Sequence, residues 1–128
     1  MVPVAMLPQT IFNAATLSAD RTRRLHLKGF KRATIWVLVT ALNGAPSAAT
    51  LNVTVNRKAP RLGTTYVDVA PSVDYTQISQ ATGLPDQQRI VLEEDDMDSE
   101  DLQIVFDVEF TDGTSPSWTI SCAIEAML

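Results

Sequence analysis

Residues 102–126 read LQIVFDVEFTDGTSPSWTISCAIEA, two runs of alternating apolar side chains joined by a corner of turn-forming residues. In the first run Leu102, Ile104, Phe106, Val108 and Phe110 share one face, with Gln103, Asp107 and Glu109 on the other. A period of two places successive side chains on opposite sides of a pleated strand, so this run reads as a strand buried on one face. The second run alternates Trp118, Ile120, Cys122 and Ile124 against Thr119, Ser121, Ala123 and Glu125. Between them Asp112-Gly113 supplies positive φ and Pro116 fixes the exit. The expectation is an antiparallel hairpin of 102–110 with 117–125, burying Leu102, Ile104, Phe106, Val108, Ile120 and Cys122.

The same chemistry occurs earlier. ATIWVLVTAL (33–42) leads through Asn43-Gly44-Ala45-Pro46-Ser47 into TLNVTVNR (50–57), where Leu51, Val53 and Val55 face inward. This predicts a second hairpin, with the two corners matched across packed sheets. ATIWVLVTAL is apolar on both faces, which suits a central strand or one whose outer face meets a partner. Shorter strands are expected in IFNAATLS, RRLHLKG, TTYVDVA, YTQIS and QRIVLE. No stretch carries the 3.6-residue period of an amphipathic helix. The fold class that follows is all-β, an antiparallel β-sandwich or jelly roll of eight to nine short strands.

A chain of 128 residues fits one domain. We expect it over residues 20–128, behind an apolar N-terminal arm at 1–19. MVPVAMLPQTIF lacks the basic start of a signal peptide, and Pro3 and Pro8 interrupt it. Residues 1–12 are therefore expected to reach a neighbouring molecule, with Val4, Met6 and Leu7 as contacts. No apolar run approaches the roughly 20 residues of a membrane helix, and no membrane partner is expected.

Charge is divided along the chain. Residues 1–61 carry a net +8 and residues 62–128 a net −13, within a total of −5. Such asymmetry points to an interaction surface unless the two halves interleave in space. Arg21, Arg23 and Arg24 head the basic cluster, which continues through Lys28, Lys31 and Arg32. It lacks the interleaved aromatics that stack single strands, and the acidic total disfavours nucleic acid, so a protein surface is the expected partner. EEDDMDSED (93–101) supplies the acidic counterpart through Glu94, Asp95, Asp96 and Asp98. Asp96, Asp98 and Glu100 have calcium-loop spacing, but Asp101 stands where that loop needs Gly. A solvated loop, a dock for a basic partner and a weak cation site all remain open.

Catalytic chemistry finds little footing. His26, the only histidine, sits between Leu25 and Leu27 on a short strand and should point outward. No Gly-x-Ser-x-Gly elbow occurs. One Cys and one His cannot build a structural zinc cluster, and a lone Cys122 in an alternating series reads as a buried small hydrophobe. Asp107 and Glu109 lie about 7 Å apart on one strand face, a spacing any polar face shares. No enzyme activity, catalytic residue, metal or cofactor is expected.

The succession LHLKGFKRATIWVLVTALNGAPSAATLNVTV, YTQIS and LQIVFDVEFTDGTSPSWTISCAI resembles small β-sandwich virion proteins of tailed bacteriophages. The features carrying it are Gly29 before the first long strand, Gln77-Ile78, and Gly113-Thr114-Ser115-Pro116-Ser117, within residues 20–126. The resemblance implies a capsid decoration or cement protein, or a minor head or tail component. It would be made in the host cytoplasm and held on the virion by the major capsid protein or other virion proteins, as a homo-oligomer. Trp36, on the strand apolar on both faces, joins the expected contacts. The competing reading is a carbohydrate- or receptor-binding sandwich module, for which exposed aromatics are the discriminating feature. With Trp118 inward, only Trp36, Tyr66 and Tyr75 are available to it.

Overall fold

The computed structural model describes residues 9–58 and 65–128. They form nine strands: β1 Gln9–Leu17, β2 Arg21–Leu25, β3 Arg32–Asn43, β4 Ala48–Lys58, β5 Tyr66–Asp68, β6 Ile78–Ser79, β7 Asp86–Glu93, β8 Leu102–Thr111 and β9 Ser117–Met127. A 3-10 turn at Glu94–Met97 precedes β8.

β1 pairs antiparallel with β9, β2 with β8, β3 with β7 and β4 with β5. The chain thus runs out along one arm of a long antiparallel ribbon and back along the other. Rolling that ribbon brings β3 against β9 and β4 against β8. One sheet then has the order β1-β9-β3-β7 and the other β2-β8-β4-β5, with β6 also on β4. This is a jelly roll.

The rolled ribbon corrects both expected hairpins. β8 and β9 do not pair; they lie in opposite sheets, and so do β3 and β4. Each Gly/Pro corner crosses from one sheet to the other. Alternation tells which side of a strand faces the core, and that side is the same whether the next strand returns alongside or crosses the sandwich. The corners themselves hold the crossing geometry. Gly44 and Ala45 sit at φ 84° and 48°, and Asp112, Gly113 and Ser115 at 59°, 89° and 46°.

The core lies between the sheets. Ile35, Val37 and Val39 of β3 meet Leu51, Val53 and Val55 of β4 with Ile104, Phe106, Trp118 and Ile120, all buried. The six side chains expected inside from β8 and β9 are there. Phe106 is fully buried and packs edge-on to Phe12, with ring centroids 5.1 Å apart. The Trp118 indole N–H, also inside, donates to the Thr50 carbonyl at 3.1 Å, so the polar atom of this buried ring keeps a partner.

The arm boundary needs correction as well. Gln9–Leu17 is not an external arm but an edge strand on β9, and Phe12 and Leu17 belong to the core. Pro8 can precede a strand without interrupting it, and from Thr10 onward the segment has the β-branched and aromatic residues a strand uses. Val4, Met6 and Leu7 lie outside the described residues.

Candidate functional site

One end of the jelly roll gathers the charges. There the ribbon crosses between sheets on two arms at once: the β2–β3 turn, residues 26–31, and the β7–β8 segment, residues 94–101. The first is basic and the second acidic, and the ribbon makes them neighbours. Arg24 reaches Asp101 at 2.7 Å, Lys31 reaches Glu94 at 3.0 Å, Lys28 reaches Glu100 at 3.7 Å and Arg32 reaches Glu93 at 3.8 Å. Arg24 also donates to the Glu100 carbonyl, and Arg57 of β4 to that of Asp95. The two halves of opposite sign therefore interleave here, rather than facing apart as two docking surfaces.

Within the acidic segment the carboxylates have unlike duties. The Asp96 carboxylate accepts from the Glu93 amide at 2.8 Å, closing a capping box at the 3-10 turn. Met97 is buried, anchoring the segment to the core. Asp95 and Asp98 are exposed, and among the described residues their carboxylates accept no hydrogen bond. No three His, Cys, Asp or Glu side chains among the described residues converge as metal ligands.

Arg21 and Arg23 go elsewhere. On the edge strand β2 they stand opposite Phe106 and Ile104, and so lie on the inward face at the open seam between the sheets. Arg23 places its guanidinium carbon 5.1 Å from the Phe12 ring centre, covering the aromatic while its charge stays in water. Inward-pointing charge on an edge strand also blocks pairing with a foreign strand.

Trp36 sits on the outer face of the other sheet, apart from the charged end. In register it stands between Ala123 of β9 and Arg89 of β7. The residue is 37% exposed, while Trp118 is fully buried, so Trp36 is the tryptophan that water reaches. It forms part of an open depression of about 380 Å³, together with Thr10, Asn13, Leu38, Gln87 and Ser121. A bulged stretch of β1 builds one wall: the pairing slips between Thr10 and Phe12 and again between Phe12 and Ala15. Ala14 turns to φ 50° and gives its amide to the Ser121 hydroxyl at 2.9 Å. Of the expected contacts, Arg24 thus joins the acidic segment, while Arg21 with Arg23 and Trp36 occupy two other places.

A second polar depression, about 340 Å³, lies on the opposite sheet and includes Asp20, Asn52, Gln77, Asp107 and Glu109. Asp20 is fixed there, its carboxylate accepting from the Val108 amide at 2.9 Å. Partial burial, followed by the neighbouring charges of Asp20, Asp68 and Glu109, raises the Asp107 carboxyl above its ordinary range. Inside the sandwich, burial pushes the Cys122 thiol up to about 12, which leaves it protonated and unreactive at neutral pH.

Sequence reasoning missed the companions of Trp36. Alternation marked Ser121 as outward, but Thr10, Asn13 and Gln87 reach the indole only through the ribbon's register. No known family model matches this chain, and no curated protein is similar enough to it to count as a relative.

Proposed function

We propose that this chain is a structural protein of a bacteriophage virion, decorating or cementing the head shell through protein–protein contacts. The observation that carries the reading is the jelly-roll order of strands, an architecture that viral capsid domains use. The corner and strand chemistry shared with small phage virion proteins supports it. A fold alone does not assign a role, so the reading stands on that resemblance and the architecture together.

In this reading the chain works by binding, without catalysis or a cofactor. Its sandwich presents its corners and outer faces to a repeated surface. With most charges at the 26–31 and 94–101 crossings already paired, Asp95 and Asp98 are the charged groups left for contact with a major capsid protein. Co-sedimentation with purified head shells of the phage that carries it tests the reading. The expected result is saturable binding with a fixed number of copies per shell. Protein that stays in the supernatant at low and physiological salt overturns it.

A further inference from the structure

We infer that the depression around Trp36 is a binding site for a neutral carbohydrate, with the indole as the stacking platform for one pyranose ring. This goes beyond the proposed virion role and does not depend on it. An isolated exposed apolar residue needs no explanation. Trp36 is not isolated, because it sits in a concavity of about 380 Å³, within the size range of small-ligand sites. The lining chemistry identifies the class of ligand.

Leu38, half-buried beside Trp36 on the same face of β3, extends the apolar floor. Around it stand the Thr10 and Ser121 hydroxyls and the Asn13 and Gln87 carboxamides. These groups both donate and accept hydrogen bonds, as a ring of sugar hydroxyls requires. Among the described residues no charged side chain lines the depression. Arg89 faces Trp36 across the ladder but is not part of the wall. A phosphate or carboxylate ligand would find no counter-charge in the wall itself, with only Arg89 beside it, and a purely apolar ligand would leave the amides and hydroxyls unpaired. A pyranose satisfies both parts, with its C–H face on the indole and its hydroxyls to the rim.

The wall on the β1 side departs from regular pairing. Bulges bend a strand and re-aim its side chains, and they recur beside sites. Here the slipped register and the Ala14 turn place Asn13 on the rim of the depression while Phe12 stays in the core. Residues from β1, β3, β7 and β9 thus converge on one place, each held by a paired strand rather than a loose loop.

Titration with neutral oligosaccharides of glucose, galactose, mannose and N-acetylglucosamine tests the inference, read by tryptophan emission and by calorimetry. Because Trp118 is fully buried, an emission change reports on Trp36. At least one saccharide is expected to bind with a dissociation constant of about 1 mM or tighter, typical of one small stacked ligand. Trp36→Ala should weaken it at least about tenfold by calorimetry, a change of about 1.4 kcal/mol. Gln87→Ala and Asn13→Ala should each weaken it severalfold while leaving the emission maximum of the free protein unchanged. The inference fails if no saccharide in the panel binds. It also fails if binding survives Trp36→Ala and Gln87→Ala unchanged, or if only an apolar dye occupies the face and sugars do not displace it.

Discussion

The Thr114 amide donates to the Gly44 carbonyl at 2.9 Å, tying together the two corners that carry the chain from one sheet to the other. They are seventy residues apart in sequence and touch in space. The contact is reciprocal: a Cβ on Gly44 would strike the Thr114 carbonyl and the Pro116 backbone, and one on Gly113 would strike the Gly44 carbonyl and Pro46. Two glycines let two backbones approach where no side chain fits.

Gly44→Ala and Gly113→Ala are therefore both expected to destabilise the fold. Each position has φ above +80° and its new methyl meets backbone rather than a yielding side chain. The loss should exceed about 1 kcal/mol in each case. Gly83, where an added Cβ meets nothing within 4 Å and φ is not positive, is the control and should tolerate Ala. Urea titration of the three variants separates them; equal midpoints for all three would show that the corners do not interlock tightly.

Phe106→Ala should cost about 3–5 kcal/mol, as for a fully buried aromatic whose site cannot collapse. Phe12→Ala removes the edge-on partner of that ring and the residue under Arg23, so the two losses should not be additive. A double-mutant cycle by chemical denaturation measures the coupling. Independent effects would mean that β1 is peripheral to the core.

Each segment expected from alternation and turn chemistry contains a strand, though YTQIS keeps only Ile78–Ser79, TTYVDVA only Tyr66–Asp68 and RRLHLKG only its first three residues, yet the pairing between them was not legible. Leu102 through Val108 announce a one-sided strand in either topology, and nothing in Asp112–Pro116 says whether the exit turns back or crosses over. The pairings that decide it, such as Ile35 with Ile124 on one side and Ile90 on the other, link residues more than fifty positions apart. The charge split was legible as a fact, and its meaning was not. Opposite charges meet because the 26–31 and 94–101 segments are companion arms of one ribbon, a relation of topology rather than composition. Trp36 was one of three aromatics available for exposure, with Tyr66 and Tyr75; Tyr75 is buried, and the polar groups around Trp36 come from three other strands.

Asp107 gives a pH dependence with an inverted sign. Its carboxyl is raised in the folded state, by partial burial first and by Asp20, Asp68 and Glu109 after it. A folded value above the unfolded one means that the native protein holds this proton more tightly, so ionising Asp107 disfavours the fold. Asp107→Asn should raise the thermal midpoint at pH 7. The gain should shrink as pH falls through the raised value towards the ordinary carboxylate range, where the wild type carries the proton too. Melting curves of both proteins from pH 3 to 7 check this; a variant less stable at pH 7 would mean that the Asp107 charge has a favourable partner.

The acidic segment allows its carboxylates to be ranked. The pairs Arg24–Asp101, Lys31–Glu94, Lys28–Glu100 and Arg32–Glu93 join side chains that are all more than two-fifths exposed, so each contributes about 0–1 kcal/mol and weakens with salt. Raising ionic strength from about 0.05 M to about 0.5 M shortens the screening length from about 14 to about 4 Å and should lower the thermal midpoint only slightly. Asp96 differs because it caps the Glu93 amide, and Asp96→Ala should cost about 1 kcal/mol. Asp95→Asn and Asp98→Asn should leave stability unchanged, since their carboxylates project into water. If these two substitutions instead abolish a salt-sensitive association seen by light scattering, the segment has a contact role beyond its internal pairing. If they lower the midpoint of the monomer as much as Asp96→Ala does, the division of labour among the carboxylates is wrong.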